Sequence, residues 1–236
     1  MFKLTELYQI LRRDNSLTQA VERSWLMLER TNAMFRASVA SLRGGDAGAR
    51  TLDIYQEDRL VNEYQQEARR KVLQHLAVTG GLNLKAGLIL TSIIIDIERI
   101  GDYTKNIMEL ADAHPGELDS GAFTPDIRRI EEAVMTLFDG TVENVRSGNV
   151  EGARALMRDH VWIKRRCDEI ARDLTATGGG SLGQSDAVTT ALYARYLKRV
   201  GAHLMNVLSS VINPFDKIGY RESSGDAVVE SGPGSS

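Results

Sequence analysis

The chain has 236 residues, is 42% hydrophobic and carries a net charge of −3. That length and apolar content allow a large buried core, and the mildly negative charge excludes the basic footprint of a general nucleic-acid binder. Four prolines and 6% aromatic residues favour helix over a strand-rich sandwich.

The first residues, Met1-Phe-Lys-Leu-Thr-Glu-Leu-Tyr8, lack the continuous apolar stretch of a signal peptide. Phe2, Leu4, Leu7 and Leu11 give residues 1–15 the pattern of a short amphipathic segment packed on the rest. Six helices are then expected. The first covers 16–42, with Asn15 or Ser16 as its cap and Gly44-Gly45 as its stop. The second covers 49–78 and stops at Gly80-Gly81; Ile54, Val61, Tyr64, Ala68, Val72 and Leu76 recur at helical spacing. The third covers 83–113, with Leu90, Ile93, Ile94, Ile97, Ile100, Thr104, Ile107 and Met108 on one stripe. Its most apolar run, Leu88 to Ile97, is about ten residues, against the roughly 20 needed to cross a bilayer.

A linker from His114 to Thr124 carries Pro, Gly and Ser, and the pattern then restarts. A fourth helix covers 125–147, with Thr124 as cap and Pro125 in the first turn. A fifth covers 150–177 and is broken by Gly178-Gly179-Gly180; a sixth covers 185–211 and stops before Asn213-Pro214. Residues 221–236 are rich in Ser and Gly without periodicity, and read as a disordered tail.

The second half repeats the first. Glu98-Arg-Ile-Gly-Asp-Tyr-Thr-Lys-Asn-Ile107 aligns with Lys198-Arg-Val-Gly-Ala-His-Leu-Met-Asn-Val207, with Arg, Gly and Asn in register. The glycine breaks recur at matching places, and Asp58 falls opposite Asp159. These features predict an all-α fold of two tandem three-helix bundles related by internal duplication, over 16–114 and 124–218. Gly101 and Gly201 sit inside helices, where each costs about 1 kcal/mol against alanine; a close helix approach would explain them. Asn106 and Asn206 suit interhelical hydrogen bonds.

Glu98 and Asp102 lie at i and i+4, one turn apart on a single helix face. Two like charges there suit a cation, and carboxylate oxygens are hard ligands for Mg²⁺, Mn²⁺ or iron. Asp58 and Asn62 repeat the spacing on the second helix, with Asp58 about 40° from Ile54 by helical phase. If helices two and three are neighbours, all four residues converge. Against this, Glu98 and Asp102 fall roughly 100–140° from the centre of their helix's apolar stripe. A solvated acidic face with Arg99 and Lys105 as countercharges needs no metal. The four histidines show no metal-ligand spacing, Trp25 and Trp162 read as core, and no phosphate loop, zinc motif, nucleophile elbow or dinucleotide fingerprint is present. The lone Cys167 excludes an internal disulfide, suits a reducing compartment and reads as a buried, inert thiol.

Glu98-Arg-Ile-Gly-Asp102 followed by Asn106 resembles the signature of the PhoU family. Gln56-Glu-Asp-Arg-Leu-Val-Asn62 is similar to that family's other acidic segment, with Asn62 in place of a frequent aspartate. The resemblance spans 16–218 and implies two PhoU repeats. It implies a cytoplasmic, non-enzymatic regulator of phosphate uptake that acts with a phosphate transporter, a phosphate-sensing histidine kinase or both, as a homodimer. Some family members bind multinuclear metal clusters. Carried over by position, Glu98 and Asp102 are the first candidate ligands, Asp58 the next and Asn62 the weakest, for Fe, Mn, Mg or Zn. Lys198 and Ala202 stand where the second repeat would have its carboxylates, so a second metal site is not expected. Two other readings stay open: an accessory protein of a sodium–phosphate cotransporter or other transporter, and a carboxylate metalloenzyme built on a helical bundle. The second lacks the Glu-x-x-His pairs of di-iron bundles.

Overall fold

Helix α1, Ser16–Leu42, shows why the chain folds as it does. Leu17, Val21, Ser24, Leu28, Thr31, Phe35, Val39 and Leu42 recur every three or four residues and are all buried, so one face of the helix is removed from water. Helices α2 (Ile54–Val78) and α3 (Leu84–Ala113) complete the first half. The second half is α4 (Thr124–Ser147), α5 (Val150–His160), α6 (Trp162–Thr177) and α7 (Gln184–Ile212). Short 3-10 turns at Gly121–Phe123 and Phe215–Lys217 flank the second half. This computed structural model describes residues 16–44, 52–114 and 116–220. The expected N-terminal segment 1–15 and tail 221–236 lie outside the described residues. Among the described residues no strand forms, and no helix is long and apolar enough to cross a membrane.

Local chemistry sets the boundaries. Helix α2 begins at Ile54, later than the expected 49, because the Asp53 carboxylate accepts the backbone N–H of Tyr55 and Gln56. Helix α4 ends at Gly148, whose φ of 65° terminates it in the left-handed region. The fifth helix is expected as one piece and is in fact two. Val161 separates α5 from α6 with φ −59° and ψ −24°, angles of a 3-10 turn. At the break the His160 ring nitrogen Nδ1 lies 2.8 Å from the Leu156 carbonyl oxygen. A carbonyl only accepts, so Nδ1 carries the proton and Nε2 is the acceptor of the neutral ring.

Each half packs internally, α1 on α2 and α3, and α7 on α4, α5 and α6. The halves are joined chiefly by α3 against α7, with a smaller contact of α1 on α4. Asp96 of α3 meets His203 and Asn206 of α7, while Tyr103 meets Tyr196, so the two helices run antiparallel. Ile93, Ile94, Ile97, Ile100 and Ile107 of α3 and Leu197, Val200, Leu204, Val207 and Leu208 of α7 belong to one core. Each such side chain contributes about 1.5–3 kcal/mol on burial. Trp25 and Trp162 sit partly buried against that core, beneath the guanidinium groups of Arg146 and Arg129. Cys167 is buried, which pushes its thiol up to about 12 and keeps it inert.

The repeated glycines lie where the helices meet. A Cβ at Gly101 would stand 3.5 Å from Thr31 Cγ2 and 3.6 Å from Val61 Cγ1, and one at Gly201 would stand 3.6 Å from Ile163 Cγ2. These are ordinary contacts, so a methyl group fits and a larger side chain does not. Gly101→Ala is therefore expected to be neutral or stabilising by up to about 1 kcal/mol, and Gly101→Leu destabilising by about 1–3 kcal/mol, measured by urea unfolding.

One buried charge is held across three elements. Glu131 of α4 has a side chain only 2% exposed; it accepts the Tyr193 hydroxyl of α7 at 2.6 Å and pairs with Arg43, just past α1. Burial raises the Tyr193 phenol well above its ordinary range, so it stays a donor. Tyr193→Phe should cost about 1–3 kcal/mol, because a buried carboxylate oxygen loses its donor. Thermal melts at neutral pH check this; an unchanged Tm would show the hydroxyl to be dispensable.

Candidate functional site

Helices α2 and α3 are neighbours, which brings three of the four expected residues to one seam. Glu98 and Asp102 lie one turn apart on α3. Both sit within electrostatic range of each other and, for Glu98, of Asp58 on α2. Asn62 lies one turn beyond Asp58, half-buried. Helical phase placed Asp58 at the edge of the apolar stripe, and its side chain is 14% exposed; Asp102 is 42% exposed.

The countercharge at this seam is Lys105. Its Nζ donates to Asp58 Oδ2 at 2.9 Å and lies 3.7 Å from Asp102 Oδ1. The ammonium thus occupies the place between the two aspartates that a cation would take. Among the described residues no three His, Cys, Asp or Glu side chains converge as a metal cage. As arranged, Asp58, Asn62, Glu98 and Asp102 do not fit a cluster of Fe, Mn, Mg or Zn ions. The physical reason is that Lys105, on the same helix face one turn beyond Asp102, already neutralises the pair.

Glu98 differs from its neighbours. Burial pushes its carboxyl above the usual range, and Asp102 and more weakly Asp58 push the same way, against Arg99 and Arg69. Among the described residues it forms no ion pair or hydrogen bond. The seam is therefore an acidic surface with one strained carboxylate, suited to meeting a basic group.

The second repeat departs further than its sequence alignment suggests. Gly101 packs on Val61 and Gly201 on Ile163. The spacing from Val61 to Ile163 also carries buried Gln65, Ala68 and Val72 onto buried Cys167, Ile170 and Leu174. In that register Asp58 corresponds to His160 and Asn62 to Lys164. Asp159, the expected counterpart of Asp58, is one residue out of phase and exposed. Sequence alignment on the acidic residues missed His160 and Lys164; matching the buried stripes of α2 and α6 would have found them. It also missed the α3–α7 bridge, where Asp96 Oδ1 lies 2.7 Å from His203 Nδ1 and accepts Asn206 Nδ2 at 2.9 Å. Asn206 makes the expected interhelical bond; among the described residues Asn106 makes no equivalent one.

Residues 25–111 match the family model of the PhoU domain. Over that stretch the chain is similar to a PhoU domain. The match runs from within α1 to near the end of α3 and contains Asp58, Asn62, Glu98 and Asp102. The fold resembles the crystal structure of the phosphate transport system regulatory protein PhoU from Streptococcus pneumoniae, with a TM-score of 0.71 at 12% identity over 83% of this chain and 92% of that one. It also resembles PhoU from Pseudomonas aeruginosa, with a TM-score of 0.70 at 18% identity over 83% of this chain and 95% of that one. At these identities the likeness is one of fold, and it extends through both repeats. No curated protein sequence gives a significant match.

The raised Glu98 carboxyl has a pH signature. Its protonated form is favoured in the folded state, so its contribution to stability is fully present below the unfolded carboxylate pKa and is lost as pH rises through the folded one. Glu98→Gln should therefore raise Tm at neutral pH, and that gain should vanish towards pH 4. A gain of equal size at both pH values would show that charge is not its cause.

Proposed function

We propose that this PhoU-domain protein is a regulator of phosphate uptake, without catalytic activity of its own, that acts in the cytoplasm by binding a phosphate transporter, a phosphate-sensing kinase or both. The observation that carries this reading is the PhoU domain over 25–111, with PhoU architecture continuing through the second repeat. The accessory role beside a sodium–phosphate cotransporter belongs to the same reading, with a different partner. A homodimer is part of the proposal and would double the contact surface.

An exposed apolar row supports partner binding. Leu84, Leu88 and Ile95 lie along one face of α3 and are 52%, 40% and 39% exposed. Leu73 and Leu82 are exposed at the adjoining end of α2 and its turn. Exposed apolar side chains gathered on one helix pair suit an interaction site. The acidic seam of Asp58, Glu98 and Asp102 lies on the same helix pair, so a partner reading both would be apolar with a basic rim.

The test is co-purification from the native host, grown with and without phosphate, using full-length protein and the double variant Leu84→Glu/Leu88→Glu. Wild type should recover a phosphate-transport or phosphate-sensing component, and the variant should lose it at least tenfold while keeping its helical circular dichroism and Tm. Recovery of no such component in either medium, together with unchanged phosphate uptake in a deletion strain, would overturn the proposal.

A further inference from the structure

The second repeat holds a cavity of about 250 Å³ at the place corresponding to the acidic seam of the first. It lies between α4, α5, α6 and α7, beside the break at Val161. Its polar lining is His160, Lys164, Lys198, Asn206 and Tyr220. Where the first repeat has Asp58, Asn62, Glu98 and Asp102, the second has His160, Lys164, Lys198 and Ala202. Among the described residues no carboxylate lines the cavity. The site has been inverted in charge while its scaffold, Gly201 on Ile163, is kept.

We propose that this cavity binds a small organic anion with a phosphate-type head. Lys198 lines the cavity and pairs with Asp168, which lies outside the lining. Among the described residues Lys164 has no ion-pair partner and is exposed, one turn from His160. His160 also lines the cavity; with Nδ1 protonated its Nε2 accepts, so it suits a hydroxyl of the head rather than a charged oxygen. The unpaired Lys164 ammonium, with the Lys198 ammonium shared with Asp168, favours an anionic head. Ala202, at the position of Asp102, removes the repulsion that head would meet. The remaining wall is apolar, from Leu137, Met157 and Met205. An apolar wall of this extent favours a phosphomonoester with a compact hydrophobic body over bare phosphate. The inference stands on the second repeat alone and does not depend on which partner the α3 surface meets.

The experiment is calorimetric titration of full-length protein in 0.15 M salt, a condition near the ionic strength of cells, with phenyl phosphate, inorganic phosphate and phenol. Phenyl phosphate should bind saturably and phenol should not. Lys164→Gln and Lys198→Gln should each weaken binding about tenfold, and Ala202→Asp should abolish it, with Tm within a few degrees of wild type. Lys164→Gln is the decisive variant, because that side chain is exposed and its loss leaves the fold intact. Saturable inorganic phosphate lost in the same variants would support the site with the free ion as its ligand. No saturable binding of either phosphate at millimolar concentration, or binding that Lys164→Gln leaves unchanged, would overturn the proposal.

Discussion

The contact of α3 with α7 is the constraint on which the rest of this structure depends. Each is the most apolar helix of its half, and each has more hydrophobic surface than the other helices of its half can cover. Laying them antiparallel against one another removes that surface from water in a single seam. The polar edge of the seam is then satisfied from within: Asp96 takes up His203 and Asn206, and Tyr103 stacks on the His203 ring. The outer helices have only to cover what remains, and they can do so with narrower apolar stripes.

Much of this was legible in the sequence because helical period and glycine punctuation are strong local signals. The stripe of α3, the glycine breaks and the aligned Arg, Gly and Asn pointed to six helices in two repeats, and the structure is an all-helical fold in which the fifth of them is divided in two. What local pattern does not contain is register between helices. Lys105 is visible as a basic residue near Asp102, but its pairing with Asp58 depends on how far α2 slides along α3. The same blindness misaligned Asp159 with Asp58, since a one-residue slip on a helix turns a side chain by about 100°. The division of α5 from α6 was also hidden. Val161 is no helix breaker by type, and the turn there comes with tertiary packing of α5 on α4 and of α6 on α7.

The two repeats now offer different surfaces on a common frame. The first combines an apolar row with carboxylates steadied by an internal ammonium. The second has replaced every one of those carboxylates and opened a cavity. Duplication within one chain makes such divergence inexpensive. The residues that hold the frame are the glycines, the α3–α7 seam and the buried stripes; the residues that differ project from it and can change sign without disturbing it.

The shared seam has a thermodynamic consequence. Halves that bury one core cannot open independently, so their backbones should exchange hydrogen as a single cooperative unit. A molecule that stabilises either half by binding its folded form then stabilises the whole chain by the same free energy. Occupancy at one end is in this way felt as rigidity at the other, with no helix needing to move.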